Sequence, residues 1–149
     1  MPIGEICNRD VVIVKSSDTI QEAAKLMRQH HVGDVVVIEE RGGVRVPAGI
    51  VTDRDLVVEI LATELDPGVI TVGDIMEREL VTVKESTGIF EAIQYMRSKA
   101  VRRLPIVDES GALLGILSLD DLLELLSEEL LGIAKLVKHQ QRKEATRRQ

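Results

Sequence analysis

The chain repeats itself, and the repeat limits its fold more than any other feature. Displaced by 69 positions, residues 2–40 fall on 71–109, and "GEICNRDVVIVKSSDTI" lies over "GDIMERELVTVKESTGI". Fourteen of those 39 pairs are identical: Gly4, Ile6, Arg9, Val12, Val14, Lys15, Ser17, Ile20, Glu22, Ala23, Met27, Arg28, Val32 and Glu40 match their counterparts. The offset then becomes 66, because the loop "RGGVRVPA" is replaced by the shorter "SGALL", and "GIVTDRDL" lies over "GILSLDDL". A period this long is not a solenoid unit. Two such copies imply two similar subdomains about a pseudo-twofold axis, with "LDPG" (65–68) as the linker, since Pro-Gly favours a turn.

Each copy reads as β-α-β-β-α. "VVIV" (11–14) and "LVTV" (80–83) are predicted strands. Asp18 is predicted to cap a helix, with Gln21 three positions on as in a capping box. Apolar residues follow at 20, 23, 24 and 27, and again at 89, 92, 93 and 96, the stripe of a helix with one buried face. "VVVI" (35–38) and "LPIV" (104–107) suit strands buried on both faces. "AGIVT" and "LLGILS" supply third strands, and a last helix starts at Asp53 or Leu119. The fold class is therefore α/β of the α+β kind. The domains are read as 1–66, 67–127, and a C-terminal helix extension with a basic tail over 128–149.

The final helix runs on. Leu119, Leu123, Leu126, Leu130, Ile133 and Val137 are spaced 4, 3, 4, 3, 4, as in a helix–helix seam. That face either packs on the chain's own body or, as slightly favoured, makes a homodimer contact. After Val137 the sequence carries +4, leaving −10 on the residues before it within a net −6. Such a tail is expected to be a solvated, fraying terminus rather than a nucleic-acid arm. Aromatics are 1% of the chain, so no stacking platform for single-stranded nucleic acid is available.

No signal peptide and no apolar run of membrane length is apparent, and a cytoplasmic protein is expected. The one cysteine, Cys7, reads as a small buried apolar residue. His30 and His31 are adjacent and point about 100° apart on a helix, so they suit a helix end rather than a metal. No Ser-His-Asp set, no G-x-x-x-x-G-K-[ST] and no G-x-G-x-x-G is present. No catalytic residue, catalytic cofactor or metal site is expected, and the chain does not read as an enzyme.

"GIVTDRD" and "GILSLDD" carry the remaining chemistry. A hydroxyl followed three residues later by an acid is an ordinary capping box. The same geometry presents free N–H groups to an anion and a carboxylate to a diol. Arg54 lies in the first motif, Arg102 and Arg103 precede a central strand, and guanidinium forks suit phosphate.

The repeat, the "VGDIM" opening (72–76), "VRRLPIVDESGALLGILSLDDL" and the G-apolar-x-[ST]-x-x-D ending together resemble the CBS domain family, in tandem as a Bateman module, over about residues 2–127. The resemblance implies a regulatory module without its own catalysis. It implies binding of an adenine ligand (AMP, ADP, ATP, possibly NAD or S-adenosylmethionine) in clefts between the repeats, with Mg undetermined. Thr52 and Ser118 match the hydroxyl at phosphate or ribose, and Asp55 and Asp121 the carboxylate on the ribose. Val32, Gly33 and Asp34, and Val101, Arg102 and Arg103, match the adenine walls, and Val12 and Val81 line the base. Arg54 is replaced by Asp120 in the second motif, so the Thr52/Asp55 cleft is expected to bind phosphate better. The resemblance also implies a homodimer and a regulated partner protein. The competing reading is an interaction protein with vestigial clefts, acting through its C-terminal helix.

Overall fold

The computed structural model describes residues 1–77 and 79–148. The chain forms two compact units, Met1–Leu117 and Ser118–Gln149. The first holds two three-stranded sheets, each with its strands side by side in chain order. In the first repeat, β1 (Ile13–Lys15) is followed by α1 (Ile20–His30), β2 (Asp34–Arg41), β3 (Val44–Thr52) and α2 (Asp53–Asp55), which runs into a π-helical turn at Leu56–Leu61. The second has α3 (Val72–Ile75), β4 (Val83–Lys84), α4 (Ile89–Lys99), β5 (Arg103–Val107) and β6 (Leu113–Ser118). The second unit is the helix α5 (Leu119–Arg147), entered through its N-cap Ser118.

The β-α-β-β-α order stands, with local corrections. The first strands start later than predicted, at Ile13 and Val83 rather than at 11 and 80. Val12 O still accepts from Val36 N at 2.9 Å, and farther back Asn8 exchanges backbone hydrogen bonds of 2.9 Å each way with Ile116 of β6. The cap of α1 is Thr19, not Asp18. Thr19 Oγ1 accepts from Glu22 N at 3.2 Å, and Glu22 accepts from Thr19 N at 3.2 Å. Asp18 instead accepts from Lys15 N at 2.8 Å, holding the turn out of β1. Thr19→Ala is therefore expected to lower stability by about 1 kcal/mol and Asp18→Ala to leave α1 capped, a contrast that urea titration reads directly.

"RGGVRVPA" is mostly strand rather than loop. Gly42 and Gly43, at φ 59° and 78°, make the turn, and Arg41 pairs with Val44. Two central residues at positive φ suit a hairpin whose twist matches its strands. Pro47 is tolerated because β3 is the outer strand of its sheet and the ladder shifts between Val37 and Ile38.

Strand β2 is buried on both faces, as its unbroken valines require. Val35 and Val37 join Val14, Ile20, Ala23, Met27, Val51, Ile60 and Val72 in one core. Val36 and Ile38 meet Ile116 of β6 in another. His31 and Ala100, 69 apart, both end their helices in the left-handed conformation, at φ 55° and 54°. His30 and His31 are helix-end residues, as read from their adjacency.

The repeats exchange their opening segments. Ile3 N donates to Thr87 O at 2.8 Å and Gly4 N to Glu85 O at 3.0 Å. Reciprocally, Val72 N donates to Asp18 O at 2.8 Å and Gly73 N to Ser16 O at 2.9 Å. This exchange explains four glycines. A Cβ on Gly4 would stand 2.9 Å from the Glu85 Cβ, and one on Gly73 would stand 2.9 Å from Ser16 O. On Gly49 it would meet Met76 Sδ at 2.8 Å, and on Gly115 both Asn8 O and Cys7 Sγ at 2.8 Å. Cys7 is consequently half-buried at this crossing rather than in the core.

The C-terminal tail is not a frayed coil. It continues α5 to Arg147, and every residue from 126 to 148 is exposed.

Candidate functional site

β3 delivers Thr52 to the end of the first sheet, where the strand turns into α2. Thr52 Oγ1 accepts from Asp55 N at 3.2 Å, and Asp55 Oδ2 accepts from Thr52 N at 2.8 Å. The capping box is thus real, and it recurs. Ser118 and Asp121 form it at the head of α5, with both bonds at 3.1 Å, and Asp74 accepts from Thr71 N at 2.9 Å. A hydroxyl–acid cap therefore does not by itself mark a site. What distinguishes Thr52 is the cavity it faces.

That cavity has a volume of about 560 Å³. It gathers Thr52, Arg54 and Asp55 from the first repeat with Val81, Val101, Arg102 and Arg103 from the second. These seven predicted residues are brought together from positions up to 51 apart. The cap engages Asp55 Oδ2, and no hydrogen bond among the described residues engages its Oδ1. Arg54 and Arg102 are exposed, and among the described residues no salt bridge holds either. Ile50, Leu80, Val81, Ala100 and Val101 supply an apolar side. Convergent polar groups beside apolar walls are what a small-molecule site requires.

Arg103 is not open in the same way. Its Nε is ion-paired with Asp34 Oδ2, and both side chains are largely covered. Asp34 itself pairs in the ladder with Thr52. Burial pushes the Asp34 carboxyl above its usual value; the Arg103 guanidinium pulls it back, and the carboxylate of Asp53 pushes it up again. Gly33 O accepts from Asp53 N at 2.9 Å, so Gly33 and Asp34 stand at the edge of this cavity beside Asp53. Val12 and Val32 pack against the first core. Ser118 and Asp121 head the second unit.

Three lining carboxylates were missed in the sequence: Asp53, Glu77 and Glu79. Asp53 lay inside the motif and was legible from its place between Thr52 and Arg54. Glu77 and Glu79 were not, because only the exchanged segment brings them here, through an antiparallel bridge of Glu77 to Ile50. With them the lining holds three guanidiniums and four carboxylates. It is a mixed-sign surface, not a basic one. Among the described residues no group of three or more His, Cys, Asp or Glu is placed to hold a metal ion. No helix among them is long and apolar enough to cross a membrane.

Known proteins carry the same pattern. The chain is 39% identical over 120 residues to the CBS domain-containing protein YhcV of Bacillus subtilis, spanning 80% of this chain and 81% of that one. It is 38% identical over 122 residues to the uncharacterised protein MK0525 of Methanopyrus kandleri, covering 82% of this chain but only 61% of that protein. The fold matches that of the CBS domain pair of protein MJ0100, solved in complex with 5-methylthioadenosine and S-adenosyl-L-methionine. The TM-score is 0.74 at 23% identity, covering 87% of this chain and 98% of that one. The CBS domain pattern matches residues 3–62 and again 72–128, one match to each repeat, so the chain belongs to the CBS domain family.

Proposed function

We propose that the chain is a regulatory sensor that binds an adenine-containing ligand in the Thr52–Arg102 cavity and passes its occupancy to a partner protein. The observation that carries this reading is the convergence of Thr52, Arg54 and Asp55 with Val81, Val101 and Arg102 around one cavity. Asp55 Oδ1 accepts from the ribose hydroxyls, the apolar side receives the base, and Arg54 and Arg102 take a compact anionic group. Asp53, Glu77 and Glu79 oppose a long polyphosphate, so AMP is the preferred ligand over ATP. S-adenosylmethionine, with charges of both signs, is the second choice. Ser118 and Asp121 form a second, weaker candidate, since Asp120 stands where the first motif has Arg54. The module does no chemistry of its own and has no catalytic cofactor.

Thermal-shift and calorimetric titration with AMP, ADP, ATP, NAD and S-adenosylmethionine test the proposal. A ligand at 100 times its dissociation constant stabilises the folded state by about 2.7 kcal/mol. AMP is expected to raise the melting temperature most. No response to any of the five overturns the sensor reading in favour of an interaction protein, the reading that the exposed apolar face of α5 supports.

The Asp34–Arg103 pair adds a second test. Phosphate must compete with Asp34 for this guanidinium, so Asp34→Asn is expected to tighten AMP binding about three- to tenfold. The same variant carries a pH signature. Asp34 has its carboxyl raised in the folded state, so that state binds the proton more tightly than the unfolded chain. Wild-type stability relative to Asp34→Asn should fall as pH rises from about 3.8 through the raised value, then level off. A difference that is flat across that window, or AMP affinity unchanged by the substitution, sinks the competition.

A further inference from the structure

We propose that α5 pairs with α5 of a second copy of this chain, in antiparallel orientation. From Leu126 onward the helix has no cover. Leu126 is 41% exposed, Leu130 68%, Ile133 61% and Val137 49%, all along one seam. Leu131 and Leu136 widen that face, at 56% and 65%. A helix this amphipathic draws its stability from a partner surface rather than from its own turns.

The spacing and the charge together name the partner. The seam positions 126, 130, 133 and 137 are separated by 4, 3 and 4, a pattern that reads the same in reverse. Reversed on itself, it sets Leu126 against the partner's Val137 and Leu130 against the partner's Ile133, giving four matched layers. Charge then selects the orientation. The first half carries Asp120, Asp121, Glu124, Glu128 and Glu129 and no base. The second carries Lys135, Lys138, Arg142, Lys143 and Arg147 against Glu144 alone. A parallel pair would lay acid along acid and base along base over a helix of about 43 Å. The antiparallel pair lays the acidic half of each copy along the basic half of the other, within one screening length. The acidic half equally disfavours laying the whole helix on an anionic membrane or on nucleic acid.

Light scattering on the full-length protein reads the association. Leu130→Asp/Ile133→Asp is expected to halve the mass, with the circular dichroism of the sheets retained, because both positions are exposed. Orientation is read by cross-linking in a Cys7→Ser background. Leu126→Cys chains are mixed with Val137→Cys chains and oxidised. The mixed 126–137 disulfide is expected to exceed either symmetric one about tenfold. A mass unchanged by the double substitution, symmetric 126–126 and 137–137 products, or a monomeric wild type that binds anionic vesicles or duplex DNA each overturns the proposal.

Discussion

Gly115→Ala is expected to destabilise the protein by about 2–3 kcal/mol, within the range for forced overpacking, lowering Tm by roughly 4–12 °C. The added Cβ would stand 2.8 Å from Asn8 O and 2.8 Å from Cys7 Sγ. The carbonyl is backbone and cannot turn aside. It also accepts from Ile116 N at 2.9 Å, so moving it loosens the pairing of the N-terminal segment to β6. Gly88→Ala is the control: nothing lies within 4 Å of its Cβ, and its φ is −74°. Calorimetric melting of both variants checks the claim. A loss under about 0.5 kcal/mol at Gly115 would mean that the segment yields freely and that its exchange does not hold the repeats.

Asp55→Asn is expected to weaken AMP about 10- to 100-fold, the cost of a hydrogen bond to a charged group in a partly covered site. Asparagine is chosen because the cap must survive. Its carbonyl oxygen can still accept from Thr52 N, the bond Asp55 Oδ2 makes at 2.8 Å, while an amide replaces Oδ1 where the ribose is proposed to sit. Asp121→Asn preserves the corresponding 3.1 Å bond and is expected to cost AMP binding far less. Equal losses at the two positions refute the assignment of the working site to Asp55. So does a loss at Asp55 matched by an equal drop in apo stability, since that would be a capping effect alone.

Much of the architecture was legible because it is written in local patterns. The helical stripes at 20, 23, 24, 27 and 89, 92, 93, 96 became α1 and α4. The unbroken apolar runs at 35–38 and 104–107 became the central parts of β2 and β5. The errors fall where two local solutions compete. Asp18 and Thr19 are adjacent cap formers, and the demand of the Lys15 amide for Asp18 decides between them. The early strand starts are a matter of where the ladder begins. Val12 O still accepts from Val36 N at 2.9 Å, but regular pairing starts only at Ile13, and farther back Asn8 and Glu77 bridge to the other repeat. At the site, Thr52, Arg54 and Asp55 were readable as one motif, and Arg102 and Arg103 as a pair of cations ahead of a central strand. The engagement of Arg103 by Asp34 was not: the two are equivalent positions of the repeats, 69 apart, but alignment does not show that equivalent residues touch.

By itself the sequence determined the duplication, the order of elements in each repeat, the apolar faces and the two caps. Each rests on periodicity or on hydrogen bonds spanning three or four residues. Only the tertiary structure decided that the opening segments cross between repeats, that four glycines exist for that crossing, and that Glu77 and Glu79 turn a basic cleft into one of mixed sign. Those are contacts between distant stretches of chain, set by which surfaces can approach within 3 Å, and no local pattern encodes them.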